Sequence, residues 1–366
     1  MHILHLSAVT NWGGGEKHIE TLYNELSELA PEVKNTIFCA KNGDFHKHLK
    51  TQQINYITAP LSIKVDPRFF IKLGIICKRE KVDLIHIHDP SAILLAILSD
   101  KIFNLPPFIY SKKTSFPIKN RKKTLFKYNY PKIKKVICVS KKTKEIAAKS
   151  IVDNHKIVTI YDGTDIETPL KKPSFAIREK FNLKEDTVIV GNIANHIRAK
   201  HLDTLIDIVD IIINKENKKN FFFIQMGNYT ERTEPLLQRA KELQLEQHLV
   251  FSGFTPNASS FLPQFDINLI TSQSEGMPLV IYESLLHKTA VVSTDVGGIP
   301  EIIEHNINGL LSPMHSPDKQ AEQIISLSED DVLKEKFIKN GYEKVINNYS
   351  SKNMALETLQ LYKNIV

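Results

Sequence analysis

The densest chemistry in the chain lies in Glu275-Gly-Met-Pro-Leu-Val-Ile-Tyr-Glu283. This stretch follows an apolar, strand-like run and the polar turn Ser272-Gln273-Ser274, and it opens a helix. Gly276 lets backbone approach a ligand closely, and Pro278, between Met277 and Leu279, suits a first helical turn. A helix start offers unpaired N–H groups and the positive end of the helix dipole, an arrangement suited to a diphosphate. Glu275 stands before the helix and Glu283 lies about one and a half turns inside it. Each carboxylate can accept hydrogen bonds from hydroxyl groups. Taken alone, two acids at this spacing read equally well as one buried structural Glu and one exposed one.

A second polar loop, Gly191-Asn-Ile-Ala-Asn-His-Ile-Arg-Ala-Lys200, also follows a strand and precedes a helix. Lys200 is placed to act as a point charge on a departing anion. Arg198 reads either as a second cation or as a solvated residue at the helix start. No Asp-x-Asp occurs anywhere in the sequence. That pattern is the simplest carboxylate clamp for a Mg²⁺ or Mn²⁺ on a diphosphate. Metal-independent chemistry is therefore expected, with no cofactor. In the first half, His86 and His88 alternate at a strand end and are expected to point to opposite faces. Asp89 then sits at the sheet's carboxyl edge. Lys112 and Lys113, after the run Phe108-Ile-Tyr-Ser, suggest an anionic group nearby. The three cysteines, Cys39, Cys77 and Cys138, are far apart and odd in number. They read as buried reduced thiols of a cytoplasmic protein rather than metal ligands.

The elements that must hold these groups repeat in β-α order. The first series has strands at His2–Leu6, Thr36–Ala40, Leu84–His88, Lys134–Ser140 and Ile157–Tyr161, with helices from about Glu16, over Phe69–Glu80 and over Lys141–Lys149. A second series runs through strands Thr187–Asn192, Phe221–Met226, Leu249–Ser252, Ile267–Thr271 and Ala290–Thr294. Its helices span His201–Asn214, Glu234–Leu243 and Leu279–Leu286. This order argues for α/β architecture with two parallel sheets covered by helices. The 366 residues are comfortable for two domains. The Pro-containing segment Glu167–Ser174 reads as the linker, giving domains at 1–167 and 168–349. Ligands of such sheets sit outside the carboxyl ends of the strands, so facing domains would address one cleft.

The block from Glu275 through Asp295-Val-Gly-Gly-Ile-Pro-Glu301 to Asn308-Gly309-Leu310-Leu311 closely resembles the donor-binding region of the retaining glycosyltransferases of family 4. Their fold is GT-B, two facing Rossmann-like domains with an interdomain cleft. Gly13-Gly14-Gly15-Glu16, His86-Ile-His88-Asp89, Val139-Ser140, Tyr161-Asp162-Gly163-Thr164-Asp165, Met226-Gly227 and Ser252-Gly253-Phe254 follow in the family's order. The resemblance implies transfer, with retention of anomeric configuration, of a hexose-type sugar from a UDP- or GDP-sugar. The implied acceptor is a saccharide or lipid-linked saccharide in cell-surface polysaccharide or lipopolysaccharide synthesis. It assigns catalysis to Glu275, Lys200, His88 and Asp89, with Glu275 near the sugar and Glu283 near the ribose. Donor contacts fall to Gly14, Gly15, Asn195, Arg198, Gly227, Gly253 and Phe254, and to Gly276, Met277, Pro278, Leu279 and Glu283. Glu16, Lys112 and Lys113 fall on the acceptor or anion side. The resemblance also implies that a C-terminal helix, about 350–366, packs on the first domain. Two departures stand out: Asn195 occupies a position where the family usually has arginine, and lysines stand where many relatives carry a further cleft histidine. A nucleotide-sugar epimerase of the same architecture and a non-catalytic nucleotide-sugar-binding protein remain alternatives. The Gly13–Gly15 run lacks the G-x-G-x-x-G spacing of a dinucleotide oxidoreductase.

Charge is placed unevenly. Residues 1–170 hold 27 Lys and Arg against 16 Asp and Glu, and residues 101–144 hold 14 basic residues and no acidic one. This field favours an anionic partner such as a phosphorylated lipid, an anionic membrane surface or nucleic acid. No nucleic-acid module accompanies it, so nucleic acid is not expected. The other reading is a solvated, lysine-rich surface. Lys119, Arg121, Lys122, Lys123 and Lys127 are the best candidates for membrane contact. The first residues lack a basic leader, and no run of about 18 apolar residues exists. A cytoplasmic protein is expected, peripheral at the inner face of the membrane if the basic segment docks there.

Overall fold

Short apolar runs become strands buried on both faces, as a parallel sheet covered by helices requires. Phe221–Met226 and Ala290–Thr294 are buried at every position. The computed structural model describes residues 1–366 and divides into two units, Met1–Asp165 with Ser351–Val366, and Ile166–Ser350.

The first unit holds β1 (His2–Leu6), β2 (Lys34–Ala40), β3 (Tyr56–Ala59), β4 (Leu84–Ile87), β5 (Phe108–Lys112), β6 (Ile133–Cys138) and β7 (Ile157–Thr159). They form one sheet in the order β3-β2-β1-β4-β5-β6-β7, and every pair is parallel. The second unit holds β8 (Val188–Ile193), β9 (Phe221–Met226), β10 (Leu249–Phe251), β11 (Ile267–Ile270), β12 (Ala290–Thr294) and β13 (Leu310–Ser312). Their order, β10-β9-β8-β11-β12-β13, is again all parallel. Both sheets are Rossmann-like. In each, the strand order turns back between the first strand and the fourth, at β1/β4 and at β8/β11. Such a switch point opens a crevice at the carboxyl ends of the two strands, where ligands of open parallel sheets bind.

The helix Gly14–Leu29 buries Leu22 and Leu26 against the C-terminal helix Ser351–Lys363, which contributes Met354, Ala355, Leu359 and Tyr362. Each buried Leu or Met among them stabilises the unit by about 1.5–3 kcal/mol. The crossing is tied down where the Ser351 amide donates to the Thr164 carbonyl at 2.9 Å and the Ser351 hydroxyl donates to the Glu25 carboxylate. Residues 167–174 contain neither helix nor strand. No helix is long and apolar enough to cross a membrane.

Candidate active site

In the second unit, the loops leaving β8 and β11 are stitched together. The Thr271 hydroxyl donates to the Lys200 carbonyl at 2.9 Å, and Gln273 donates through its amide to Ala199 and through its side chain to Arg198, each at 2.8 Å. These bonds bring Lys200 Nζ to 2.6 Å from Glu275 Oε1. The same oxygen accepts from the Ser272 hydroxyl at 2.6 Å, and Thr294 at the end of β12 holds the Ser272 carbonyl at 2.6 Å. Both members of the ion pair keep some solvent access, 21% for Lys200 and 10% for Glu275, so a ligand can reach them. Immediately beyond, Met277 and Pro278 are buried and the helix Leu279–Leu286 begins. Glu283 is half-buried in its second turn.

The loop after β12 clasps this helix start. Gly297 has φ of +60°, and a Cβ there would lie 1.7 Å from the Glu275 carbonyl oxygen. Only glycine permits both that backbone conformation and that approach. Gly227, at the end of β9, is fixed for a similar reason: a Cβ would meet the Ala194 carbonyl oxygen at 1.9 Å. Asn195 accepts from the Asn228 amide at 2.9 Å, so its side chain binds loop to loop. Arg198 and Phe254 are exposed, and Gly253 lies beside Phe254 at the end of β10. The helix start, the ion pair and these residues thus all lie on the carboxyl edge of one sheet.

The first unit places a different set at its own switch point. His5 on β1 is the register partner of His86 on β4. His5 Nδ1 lies 3.1 Å from His88 Nε2, and the rings of His86 and His88 are 4.0 Å apart. The expectation that His86 and His88 point to opposite faces is therefore overturned. Residues two apart on an extended chain share a face. His86 is held on both sides, by the Tyr362 hydroxyl at 2.5 Å and by Ser111 Oγ at 2.7 Å. Beside this group, Gly13–Gly15 leads into the helix that carries Glu16 and His18, and Lys113 Nζ donates to the Gly15 carbonyl at 3.1 Å. His18 Nδ1 lies 2.7 Å from Asp162 Oδ1.

Burial sets the electrostatics here. It pushes the Glu16 carboxyl up to about 7, against the pull of Lys113. It pulls the Lys113 ammonium down to about 8, although Asp162, Glu16 and Asp89 favour the charge. Burial holds His88 well below the usual imidazole range, with His86, Lys113, His5 and His18 adding to the effect. Burial likewise takes His5 down to about 4. The cluster thus combines imidazoles that stay neutral with acid and amine groups that titrate near neutrality.

Two of the expected site residues are engaged by the protein itself, the first being Asp89 at the sheet edge. Its Oδ1 accepts from the amides of Ser91 and Ala92, both at 2.9 Å, and its Oδ2 from the amide of Ala8 at 2.7 Å. The carboxylate is an N-cap for the helix Pro90–Phe103 and a tie to the loop after β1. Lys112 was read as an anion ligand. It is buried, and Nζ donates to the carbonyls of Thr114 and Phe116, so its charge shapes the loop that follows β5. Lys113 is the lysine placed among the polar groups.

His5, His18, Asp162, Ser272 and Thr294 were not singled out for chemistry. His5, His18 and Thr294 meet partners far away in sequence, His88, Asp162 and Ser272, which only the fold brings to them, whereas Ser272 meets Glu275 within one turn. His5, His86 and His88 are the residues best placed to hold a metal, with ligand atoms all within 4.8 Å of one another. Both ring nitrogens of His86 are already engaged with hydroxyls, which leaves a poor set for a cation.

Comparison with known proteins agrees with this architecture. Residues 12–168 match the family model Glycosyltransferase Family 4, and residues 174–344 match Glycosyl transferases group 1. The poly(ribitol-phosphate) alpha-N-acetylglucosaminyltransferase of Staphylococcus aureus is 29% identical over 175 residues, 48% of this chain and 35% of that protein, so the match spans about a third of its length. The UDP-Gal:alpha-D-GlcNAc-diphosphoundecaprenol alpha-1,3-galactosyltransferase of Escherichia coli is 21% identical over 355 residues, 93% of this chain and 92% of that protein. Among solved structures, Anabaena HepE in complex with UDP-glucose matches with a TM-score of 0.86 over 100% of both chains, at 19% identity, a likeness of fold. The two family models meet end to end along the chain, and the fold is the one they require: the protein belongs to the family 4 glycosyltransferases of GT-B fold, enzymes that draw their sugar from a nucleotide-sugar donor.

Proposed function

We propose that the protein is a retaining hexosyltransferase that uses a UDP- or GDP-sugar and a saccharide or lipid-linked saccharide acceptor in cell-surface polymer synthesis. The observation that carries the reading is the Lys200–Glu275 pair at 2.6 Å, set across the β8/β11 switch point beside a helix start. A diphosphate there meets the positive helix end and the Lys200 ammonium, and no metal is required for charge neutralisation. Glu275 then accepts from a sugar hydroxyl and Glu283 from the ribose. The bond from C1 to the diphosphate oxygen breaks, and the acceptor oxygen bonds to C1 on the same face. The acceptor's proton passes to the departing diphosphate. Catalysis is mostly positioning and charge stabilisation. The UDP-glucose bound by the Anabaena neighbour and the UDP-Gal named for the Escherichia coli relative favour a uridine donor.

The diphosphoundecaprenol acceptor of that relative supports a lipid-linked acceptor. So does the surface of the first unit. Lys119, Arg121, Lys122 and Lys123 are exposed beside Phe116 and Phe126, which are 43% and 53% exposed. Lys127, in contrast, donates to the Pro90 carbonyl at 2.9 Å. Each cation near an anionic surface adds about 1 kcal/mol of attraction, and rings suit the headgroup boundary. This patch docks the first unit on an anionic membrane.

The stereochemistry tests the reading. UDP-hexoses are incubated with alpha-D-GlcNAc-diphosphoundecaprenol and the product's anomeric coupling is read by NMR. An α-linked product from an α-linked donor is expected. A β-linked product overturns retention, and donor consumed without acceptor, with the sugar epimerised, supports the epimerase alternative.

A further inference from the structure

We propose that Asn35 and His5 act as positioning residues that hold His88 in one neutral tautomer, whose unpaired Nδ1 is left to accept from the acceptor's reacting hydroxyl. The inference rests on assigning the first unit's switch point to the acceptor, and it follows from donor and acceptor roles along one chain of side chains. Asn35 Nδ2 donates to the Val33 carbonyl at 3.1 Å, which fixes the amide and leaves Oδ1 facing His5 Nε2 at 3.4 Å. An amide oxygen only accepts, so His5 Nε2 carries the proton and His5 Nδ1 is a lone pair. His88 Nε2, 3.1 Å away, must then donate to it. A neutral imidazole has one N–H, so His88 Nδ1 is unprotonated.

That nitrogen is buried and has no hydrogen-bond partner, on a residue 5% exposed at the carboxyl end of β4. A buried acceptor left unpaired is costly unless something occupies it. His86, whose ring is 4.0 Å away, cannot fill this role because hydroxyls of Tyr362 and Ser111 take both its nitrogens. Burial and the charge of Lys113 keep His5 and His88 neutral, which the relay needs. A hydroxyl donating to His88 Nδ1 has its own lone pairs directed elsewhere, which orients it for attack without transferring its proton to the ring.

The decisive experiment is ¹⁵N NMR of imidazole-labelled protein without ligands, so its outcome does not depend on the acceptor being known. The wild type should show His88 as the Nε2–H tautomer with a free Nδ1. His5→Leu removes the acceptor and should shift His88 toward the Nδ1–H form, lowering kcat about tenfold, the worth of one neutral hydrogen bond, with donor KM unchanged. His5→Asn, whose amide oxygen can replace Nδ1, should restore the wild-type tautomer and most of kcat. Asn35→Leu, further from the site, should shift the tautomer in the same direction should His5→Leu fail to fold. A wild-type His88 protonated at Nδ1, or a stoichiometric metal on these imidazoles, would overturn the proposal. A tautomer that is unchanged in both His5→Leu and Asn35→Leu would also overturn it, whereas the expected wild-type tautomer and its shift in the variants, with no transfer to any acceptor, would count against the proposed function and leave the relay standing.

Discussion

The two sheets have the same strand order through their first six strands, and both place loops at a switch point, yet the chemistry at the two points is opposite in kind. At β8/β11 a partly exposed ion pair, Lys200–Glu275, stands beside a helix start. At β1/β4 the groups are buried imidazoles, with an amine and an acid brought toward neutrality by burial. Topology fixes where a ligand sits, and the side chains at the strand ends fix what it can be. A site of fixed charge and helix dipole suits a diphosphate. A site of neutral hydrogen-bonding groups suits hydroxyls, with Lys113 available to an anionic substituent.

The largest effect should come from breaking the second site. Glu275→Ala removes the common partner of Lys200 and Ser272 and should lower kcat by about 10²–10³. The fold should survive, because the pair lies in loops at the sheet edge and takes no part in the hydrophobic core of its unit. Glu283→Ala should act differently, weakening donor binding about tenfold or more, as loss of a charge-assisted hydrogen bond does. Steady-state kinetics beside donor calorimetry separates the two, and an unimpaired variant of either would remove that residue from the site.

A smaller, pH-dependent effect should mark the first site. Lys113 loses its charge as pH rises through about 8, and Glu16 gains its charge through about 7. With Asp162, Asp89 and neutral His18 also facing the amine, the pocket is most positive below 7 and least positive above 8. For an acceptor carrying phosphate, KM should therefore rise above pH 8 while donor KM does not follow. A flat acceptor KM over pH 6–9 would take Lys113 out of anion binding. The smallest effect on chemistry belongs to the surface patch. Changing the exposed Lys119, Arg121, Lys122 and Lys123 to Glu should abolish co-sedimentation with anionic vesicles and spare UDP binding. Wild-type protein that ignores such vesicles at low salt would leave the basic segment as a solvated surface.

Much of the second site was legible in the sequence because it is local. Glu275, Pro278 and Glu283 lie within one strand–turn–helix, and His2–Leu6, Phe221–Met226, Leu279–Leu286 and Ala290–Thr294 have the bounds their apolar pattern implies. Lys200 was legible as a cation, but its pairing with Glu275 depends on β8 and β11 lying side by side. The first site was less legible for the same reason, since His5, His18 and Asp162 meet only through the sheet and the helix packed on it. The helix Pro90–Phe103 was missed because it is apolar nearly all round and lacks a periodic face. The strand β3 is four half-exposed to buried residues with no strong alternation. Asp89 was ambiguous, because an acid at a strand end reads alike as a catalyst and as a helix cap, and the cap shows only in its amide partners.

In the proposed mode of binding, Lys200 and the helix start hold the donor's diphosphate without a metal. Calorimetric titration of UDP-hexoses and GDP-hexoses in EDTA, on wild type and Lys200→Gln, tests it most directly. One nucleotide series should bind the wild type in chelator, and Lys200→Gln should weaken it at least tenfold, by about 1.4 kcal/mol or more. Equal affinity in the two proteins, or binding that appears only with Mn²⁺, would contradict it.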